Sequence, residues 1–215
     1  MAKKVKIGLL GAGRIGKLHG TNVQNFIPEA EISVVADPFM NDAMKEWAES
    51  VGIRKTSNNP EDVFADPEVD AVFICSSTDT HADFIIKAAK AGKHIFCEKP
   101  IHTDIARIKE ALQAVEEAGV KLQVGFVRRF DKNHKAVHDA VASGKLGAPY
   151  VVKVCSRDPE APPMDYVKVS GGIFMDMMIH DFDMVRYLSG SDVTEVSAAG
   201  ACLVDPRFAD YDDVD

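Results

Sequence analysis

Val5-Lys6-Ile7-Gly8-Leu9-Leu10 runs directly into Gly11-Ala12-Gly13-Arg14-Ile15-Gly16, and this junction decides the fold. The first stretch is mostly apolar and too short for a typical helix, so it reads as a buried strand. The glycines fit G-x-G-x-x-G where that pattern has a physical meaning, between a strand and the opening of a helix. The first glycine permits a tight turn, the second lets backbone approach a pyrophosphate, and the third lets helix pack on strand. N–H groups at the helix N-terminus then face the anion. Asp37 stands at the end of the next apolar run, Glu31-Ile32-Ser33-Val34-Val35-Ala36. That is about 20 residues beyond the last glycine, where a carboxylate accepts hydrogen bonds from both adenosine ribose hydroxyls. The carboxylate also repels a 2′-phosphate, and no arginine follows at 38 or 39, so NAD is expected rather than NADP. The Arg14 guanidinium can reach a phosphate of the cofactor; the competing readings are a strand-end turn for Asp37 before Pro38 and a solvated loop residue for Arg14.

Outward from this junction, strands and helices alternate. Strands are expected at 5–10, 31–36, 71–74, 94–97 and 122–125, and helices after Gly11 and at 41–50, 82–91 and 103–118, the last two closed by Gly92 and Gly119. Regular alternation predicts an α/β fold, a doubly wound parallel sheet over residues 1–125. After Phe126 the rhythm changes: a helix over 131–143, a strand over 149–155, a proline-rich loop at 158–164, one helix over 173–188 and a further strand over 193–204. Residues 126–215 are therefore read as a second, incomplete α+β substrate and oligomerisation domain.

With 215 residues, 46% hydrophobic and 27% charged, the chain can bury a substantial core. Its 25 Lys+Arg against 33 Asp+Glu leave a net charge of −8, the wrong sign for binding nucleic-acid phosphates or an anionic membrane. No apolar run is long enough to span a bilayer, and no signal-peptide cleavage pattern follows the N-terminus. Cys75, Cys97, Cys155 and Cys202 show no zinc or redox spacing and are expected to be reduced, buried thiols of a cytoplasmic protein.

Three further stretches carry chemistry. Ser76, Ser77, Thr78 and His81 follow the strand at 71–74, at the carboxyl end where doubly wound sheets place cofactors. Helix capping by Asp79 or Thr80 is the competing reading. Glu98-Lys99-Pro100 follows the strand at 94–97, where a partly buried ammonium can stabilise a substrate alkoxide. On the expected helix over 173–188, Asp176 and His180 stand at i and i+4 with Asp183 at i+7, so the three share one face. Phe174, Met177, Met178, Ile179, Phe182 and Met184 crowd the remainder and predict a buried helix. An acid–imidazole pair there suits proton transfer, the carboxylate orienting the ring. No His or Cys cluster completes a zinc site, so no metal is expected.

Taken together these stretches resemble the glucose–fructose oxidoreductase, inositol dehydrogenase and rhizopine catabolism (Gfo/Idh/MocA) family. The resemblance also rests on Ala91-Gly92-Lys93-His94-Ile95-Phe96-Cys97, Gly125-Phe126-Val127-Arg128-Arg129-Phe130-Asp131 and Gly171-Gly172. Ser156-Arg157-Asp158-Pro159 and Phe174-Met175-Asp176-Met177 look most like the inositol 2-dehydrogenase branch. The resemblance implies a catalytic set of Lys99, Asp176 and His180, with His180 as base. It implies cofactor contacts from Glu98, His81 and Ser76-Ser77-Thr78, although the family more often has Thr-Pro-Asn at those last three positions. It places Lys99, one of Arg128 and Arg129, Asp158, Asp176, His180 and Asp183 near a polyol or sugar. Family members also continue beyond the position of Asp215, completing an open sheet and an oligomer contact, so a truncated form is expected.

The implied activity is NAD-dependent oxidation of a ring secondary alcohol, myo-inositol to 2-keto-myo-inositol or the equivalent step on another sugar. A noncatalytic NAD(H)-binding module is the alternative. A methyltransferase accounts for Gly11 to Asp37 but not for Glu98-Lys99-Pro100 or the Asp176/His180 pair.

Overall fold

The computed structural model describes residues 3–211, 213 and 214. They form two compact units, one ending at Gly125 and the other beginning at Phe126.

In the first unit, the expected strands appear as β1 (Val5–Leu10), β2 (Ala30–Ala36), β4 (Ala71–Ile74), β5 (His94–Cys97) and β6 (Leu122–Val124). An additional short strand, β3 (Thr56–Ser57), pairs with β2. All neighbours are parallel, in the order β3-β2-β1-β4-β5-β6. The chain direction of winding reverses between β1 and β4, the point at which such sheets open a crevice at their carboxyl ends.

Because strand side chains alternate, adjacent residues serve opposite faces. Leu9 and Val35 pack with Val23 of α1 (Arg14–Phe26) and Ala48 of α2 (Asp42–Ser50). Leu10 and Val34 pack with Val63 of α3 (Glu61–Ala65), Ile85 of α4 (Thr78–Lys90) and Ala111 of α5 (Ile105–Ala118). Leu9, Leu10, Val34 and Val35 are all fully buried, and truncating either leucine to alanine is worth about 2–5 kcal/mol. The caps follow local chemistry: Asn41 accepts the Met44 N–H at 3.0 Å, Asp104 accepts the Ala106 N–H at 2.8 Å, and Gly119 closes α5 at φ +63°.

Two local expectations change. Helix α4 starts at Thr78 rather than 82, with Ser77 as its N-cap in place of Asp79 or Thr80. Thr80 Oγ1 instead donates back to the Ser77 carbonyl at 2.7 Å, a bond made inside the first turn. Helix α3 was not foreseen from the pattern; it sits so close to β1 that a Cβ on Gly8 would lie 2.4 Å from Val63 Cγ1.

The second unit contains a 3-10 turn at Val127–Phe130, α6 (Lys132–Ala142), α7 (Met164–Ser170), α8 (Gly172–Asp176), α9 (Met178–Ser189) and a 3-10 segment at Pro206–Tyr211. The strands expected over 149–155 and 193–204 are absent among the described residues. A strand exists by pairing, and no strand pairing involves either segment among the described residues; Tyr150, Val196 and Leu203 are exposed. The single helix expected over 173–188 is broken at Met177 (φ −96°, ψ −56°), where the chain tightens and the His180 N–H bonds the Met177 carbonyl three residues back. Its predicted burial is also corrected: Met184 is buried, but Phe174 and Phe182 are exposed.

The cysteine expectation holds only in part. Cys75 and Cys97 are buried, Cys202 is half-buried and Cys155 is exposed. Burial pushes the thiols of Cys75 and Cys97 well above their ordinary range, so neither is a ready nucleophile. No helix among the described residues is long and apolar enough to cross a membrane.

Candidate functional site

The carboxyl ends of β1, β2, β4 and β5 bring together most of the residues proposed for a dinucleotide. Gly11 turns the chain out of β1 at φ +95°, and a Cβ there would sit 2.6 Å from the Cys75 carbonyl oxygen. A Cβ on Gly16 would lie 1.9 Å from the Gly11 oxygen, so this glycine closes α1 onto its own loop. Gly13 differs from both: nothing lies within 4 Å of its Cβ position. It is the N-cap of α1, no side chain caps the helix there, and no acidic residue occupies the first turn. First-turn N–H groups therefore face open space carrying the positive end of the helix dipole. A pyrophosphate fits this cradle in charge and in room. Arg14 is exposed at the first position of α1 and Ile15 is half-buried.

Asp37, directly after β2, is only 8% exposed. Its Oδ2 accepts the Ala12 N–H at 2.8 Å and its Oδ1 accepts the Phe39 N–H at 2.8 Å. Each oxygen keeps a second lone pair, so the carboxylate is oriented and still able to accept from a ribose diol.

After β4, Ser76 Oγ and Thr80 Oγ1 share a hydrogen bond at 2.6 Å, and Ser77 and Thr78 open α4 with no side-chain cap. His81 departs from expectation. Its ring is 2% exposed, with Nδ1 2.8 Å from the Pro100 carbonyl and Nε2 3.0 Å from the Ser76 carbonyl. Both nitrogens lie against backbone carbonyls, of which a neutral ring can donate to one, so the geometry gives His81 a tie between the β4 and β5 loops. The i+3 position of His81 relative to Thr78 turns it under the loop, toward the sheet.

Glu98 and Lys99 are both half-buried at the end of β5. Glu98 Oε1 lies 2.7 Å from Nε2 of His19, and its Oε2 accepts the Lys99 backbone N–H at 3.3 Å. The wall behind the carboxylate is Gly125, whose Cβ, if present, would stand 3.0 Å from it. His19 was missed in the sequence; its i+3 position from Gly16, on the face of α1 that meets the sheet, was the available signal.

In the second unit, Asp176 and His180 are carried by two separate helices, so the i, i+4 relation expected on one helix does not apply. Asp176 Oδ1 accepts the Tyr166 hydroxyl at 2.8 Å. Both arginines are paired with α9: Arg128 with Asp181, and Arg129 with Asp183 through Nε at 2.9 Å and Nη2 at 2.6 Å. Ser156 Oγ donates to Asp181 at 2.7 Å. The Asp183 hydrogen bonds hold the Arg129 guanidinium above its ordinary pKa, and Arg129 also lies 5.1 Å over the Tyr187 ring. Asp183 is thus buried under Arg129 and serves as its anchor. Asp158 is exposed. Ser156 stands in a stretch that carries the family resemblance, but nothing in the sequence gives it, Asp181 or Tyr166 a role of its own. Asp213 accepts the Ile173 N–H at 2.8 Å, fixing the start of α8. Among the described residues no three His, Cys, Asp or Glu side chains gather as a metal site.

The profile of the oxidoreductase family with NAD-binding Rossmann fold (Gfo/Idh/MocA) matches residues 5–126, and that of the Gfo/Idh/MocA C-terminal domain matches residues 134–215. A myo-inositol 2-dehydrogenase of Thermotoga maritima is 45% identical over 98% of this chain and 63% of its own length. A scyllo-inositol 2-dehydrogenase (NAD(+)) of Bacillus subtilis is 43% identical over 100% of this chain and 63% of its own length. The crystal structure of scyllo-inositol dehydrogenase from Lactobacillus casei with bound cofactor NAD(H) and scyllo-inositol matches with a TM-score of 0.88 at 33% identity, covering 99% of this chain and 64% of that one. The chain spans less than two thirds of the length of these relatives.

Proposed function

Because the chain belongs to the Gfo/Idh/MocA oxidoreductase family, we propose that it holds NAD in its first unit and oxidises a ring secondary alcohol of a cyclitol. Myo-inositol, giving 2-keto-myo-inositol, is the preferred substrate. The observation that carries the cofactor reading is the open space at Gly13 before a bare helix N-terminus, beside a carboxylate oriented by Ala12. The polyol reading is supported by relatives named for myo- and scyllo-inositol.

Gly11, Gly13 and Gly16 with the α1 N-terminus would hold the pyrophosphate, Asp37 the adenosine ribose, and Ser76, Ser77, Thr78 and Glu98 the opposite half. When bound, NAD supplies the hydride acceptor. His180 takes the hydroxyl proton, Lys99 stabilises the developing alkoxide, and Asp176, oriented by the Tyr166 hydroxyl, polarises the base. Polyol contacts are assigned to Asp158 and to one of Arg128 and Arg129, each arginine being held by an α9 carboxylate, Asp181 or Asp183. Cytoplasmic location and homo-oligomer assembly belong to the same proposal, tested by cell fractionation and by light scattering of the purified chain.

The decisive experiment is the initial rate of NADH formation by the 215-residue chain with NAD and either myo- or scyllo-inositol at mildly alkaline pH, where proton release favours oxidation. A measurable rate establishes the activity. NADH binding without turnover of any polyol would overturn it in favour of a binding module, and failure to bind NADH would remove the cofactor reading itself.

A further inference from the structure

The bond between His19 and Glu98 joins two parts of the first unit that the cofactor reading treats separately. His19 is on α1, the helix whose N-terminus faces the pyrophosphate, and Glu98 is at the end of β5, next to Lys99. Their side chains are 21% and 15% exposed, and the Nε2 to Oε1 distance is 2.7 Å. A carboxylate only accepts, so the proton of this bond belongs to His19 Nε2. The imidazole is itself held in place, edge-on to Phe96 at 5.0 Å and to Phe73 at 6.3 Å between ring centroids. Glu98 also accepts the Lys99 N–H on Oε2 and is backed by Gly125, where a Cβ would come within 3.0 Å of the carboxylate. Both carboxylate oxygens are therefore held, Oε1 by His19 and Oε2 by the Lys99 N–H.

Resting on the cofactor reading above, we infer that His19 is a positioning residue: it orients Glu98 for the nicotinamide group of the dinucleotide, without touching the ligand itself. The adenosine half is held by different groups, Asp37 and the Gly11–Gly16 loop, whose contacts do not pass through His19. This separation distinguishes positioning from a general contribution to stability. Loss of a hydrogen bond to a charged group is selective for the ligand that needs that charge in place.

The test compares NADH with ADP-ribose, which keeps adenosine, pyrophosphate and ribose but lacks nicotinamide. His19→Ala is expected to weaken NADH binding by about tenfold or more while ADP-ribose changes by less than about threefold. His19→Gln, whose amide N–H can reach the same carboxylate, should restore NADH affinity to within about threefold of the parent. Adding His19→Ala to Glu98→Ala should cost NADH nothing further, because the group it orients is gone. Equal weakening of both ligands, an unchanged NADH affinity in His19→Ala, or additive losses in the double variant would each overturn the inference. Should His19→Ala fail to fold, His19→Gln and Glu98→Ala still decide it: both must bind ADP-ribose normally, and only Glu98→Ala should lose NADH. If the parent chain binds neither ligand, the cofactor reading fails instead.

Discussion

Ala12 donates its backbone N–H to Oδ2 of Asp37 at 2.8 Å, so the glycine-rich loop and the carboxylate at the end of β2 are one hydrogen-bonded unit. Orienting the acid before any ligand arrives lowers the ordering cost of binding a ribose. It also means that the loop after β1 and the loop after β2 cannot drift apart independently.

Removing this acid should therefore have two effects. Asp37→Ala is expected to lower NADH affinity by about ten- to a hundredfold, from loss of charge-assisted bonds to the ribose and of the Ala12 tie. NADPH affinity should fall less or rise, because the repulsion of a 2′-phosphate disappears. Titration of both nucleotides against parent and variant checks the ratio; an unchanged preference would mean Asp37 does not face the ribose.

The glycines of the loop should separate fold from ligand. Gly16→Ala forces a methyl to within 1.9 Å of the Gly11 oxygen and should lower the melting temperature sharply. Gly13→Ala meets nothing within 4 Å. It should cost less than about 1 kcal/mol of stability yet strongly weaken NADH. Thermal melts and NADH titrations of the two variants, read side by side, test this.

Lys99→Ala and His180→Ala should each reduce turnover of inositol by about 10²–10⁴-fold and leave the NADH dissociation constant nearly unchanged. Steady-state kinetics with separate binding measurements checks the split. Unaltered turnover in either variant removes that residue from the reaction.

Acid should weaken the first unit through Asp66. Lys55 at 2.7 Å, together with the Glu68 N–H at 2.9 Å, holds this carboxyl below its ordinary value of 3.8. The unfolded chain takes up the proton at higher pH than the folded chain. The stabilisation is thus complete above about pH 4 and disappears as pH falls through the lowered folded value. Unfolding of parent and Asp66→Asn across that range should show a steeper acid loss in the parent; parallel curves would contradict it.

Much of the first unit was legible along the chain, and the reasons are local. A buried parallel strand is a short apolar run, and a helix end carries its own cap, so 5–10, 71–74 and 94–97 are read directly and Gly119 closes its helix where it should. The G-x-G-x-x-G loop and Asp37 are likewise visible because their roles depend on position relative to a strand end. Strand β3 escaped notice because Thr56–Ser57 is too short to show any period.

What tertiary structure alone decided depends on partners distant in sequence. A hydrogen bond between His19 and Glu98, the burial of His81 between two loops, and the pairing of Asp183 with Arg129 leave no local pattern. The break at Met177 likewise depends on how the carbonyls of the turn are satisfied, which composition does not record. The extended segments at 149–155 and 193–204 show the same limit from the other side: β-propensity proposes a strand, but only a neighbouring backbone supplies its hydrogen bonds. Periodicity, capping and turn chemistry are properties of a few adjacent residues and survive in a linear text. The orientation of a charged side chain is set by whatever the fold brings beside it.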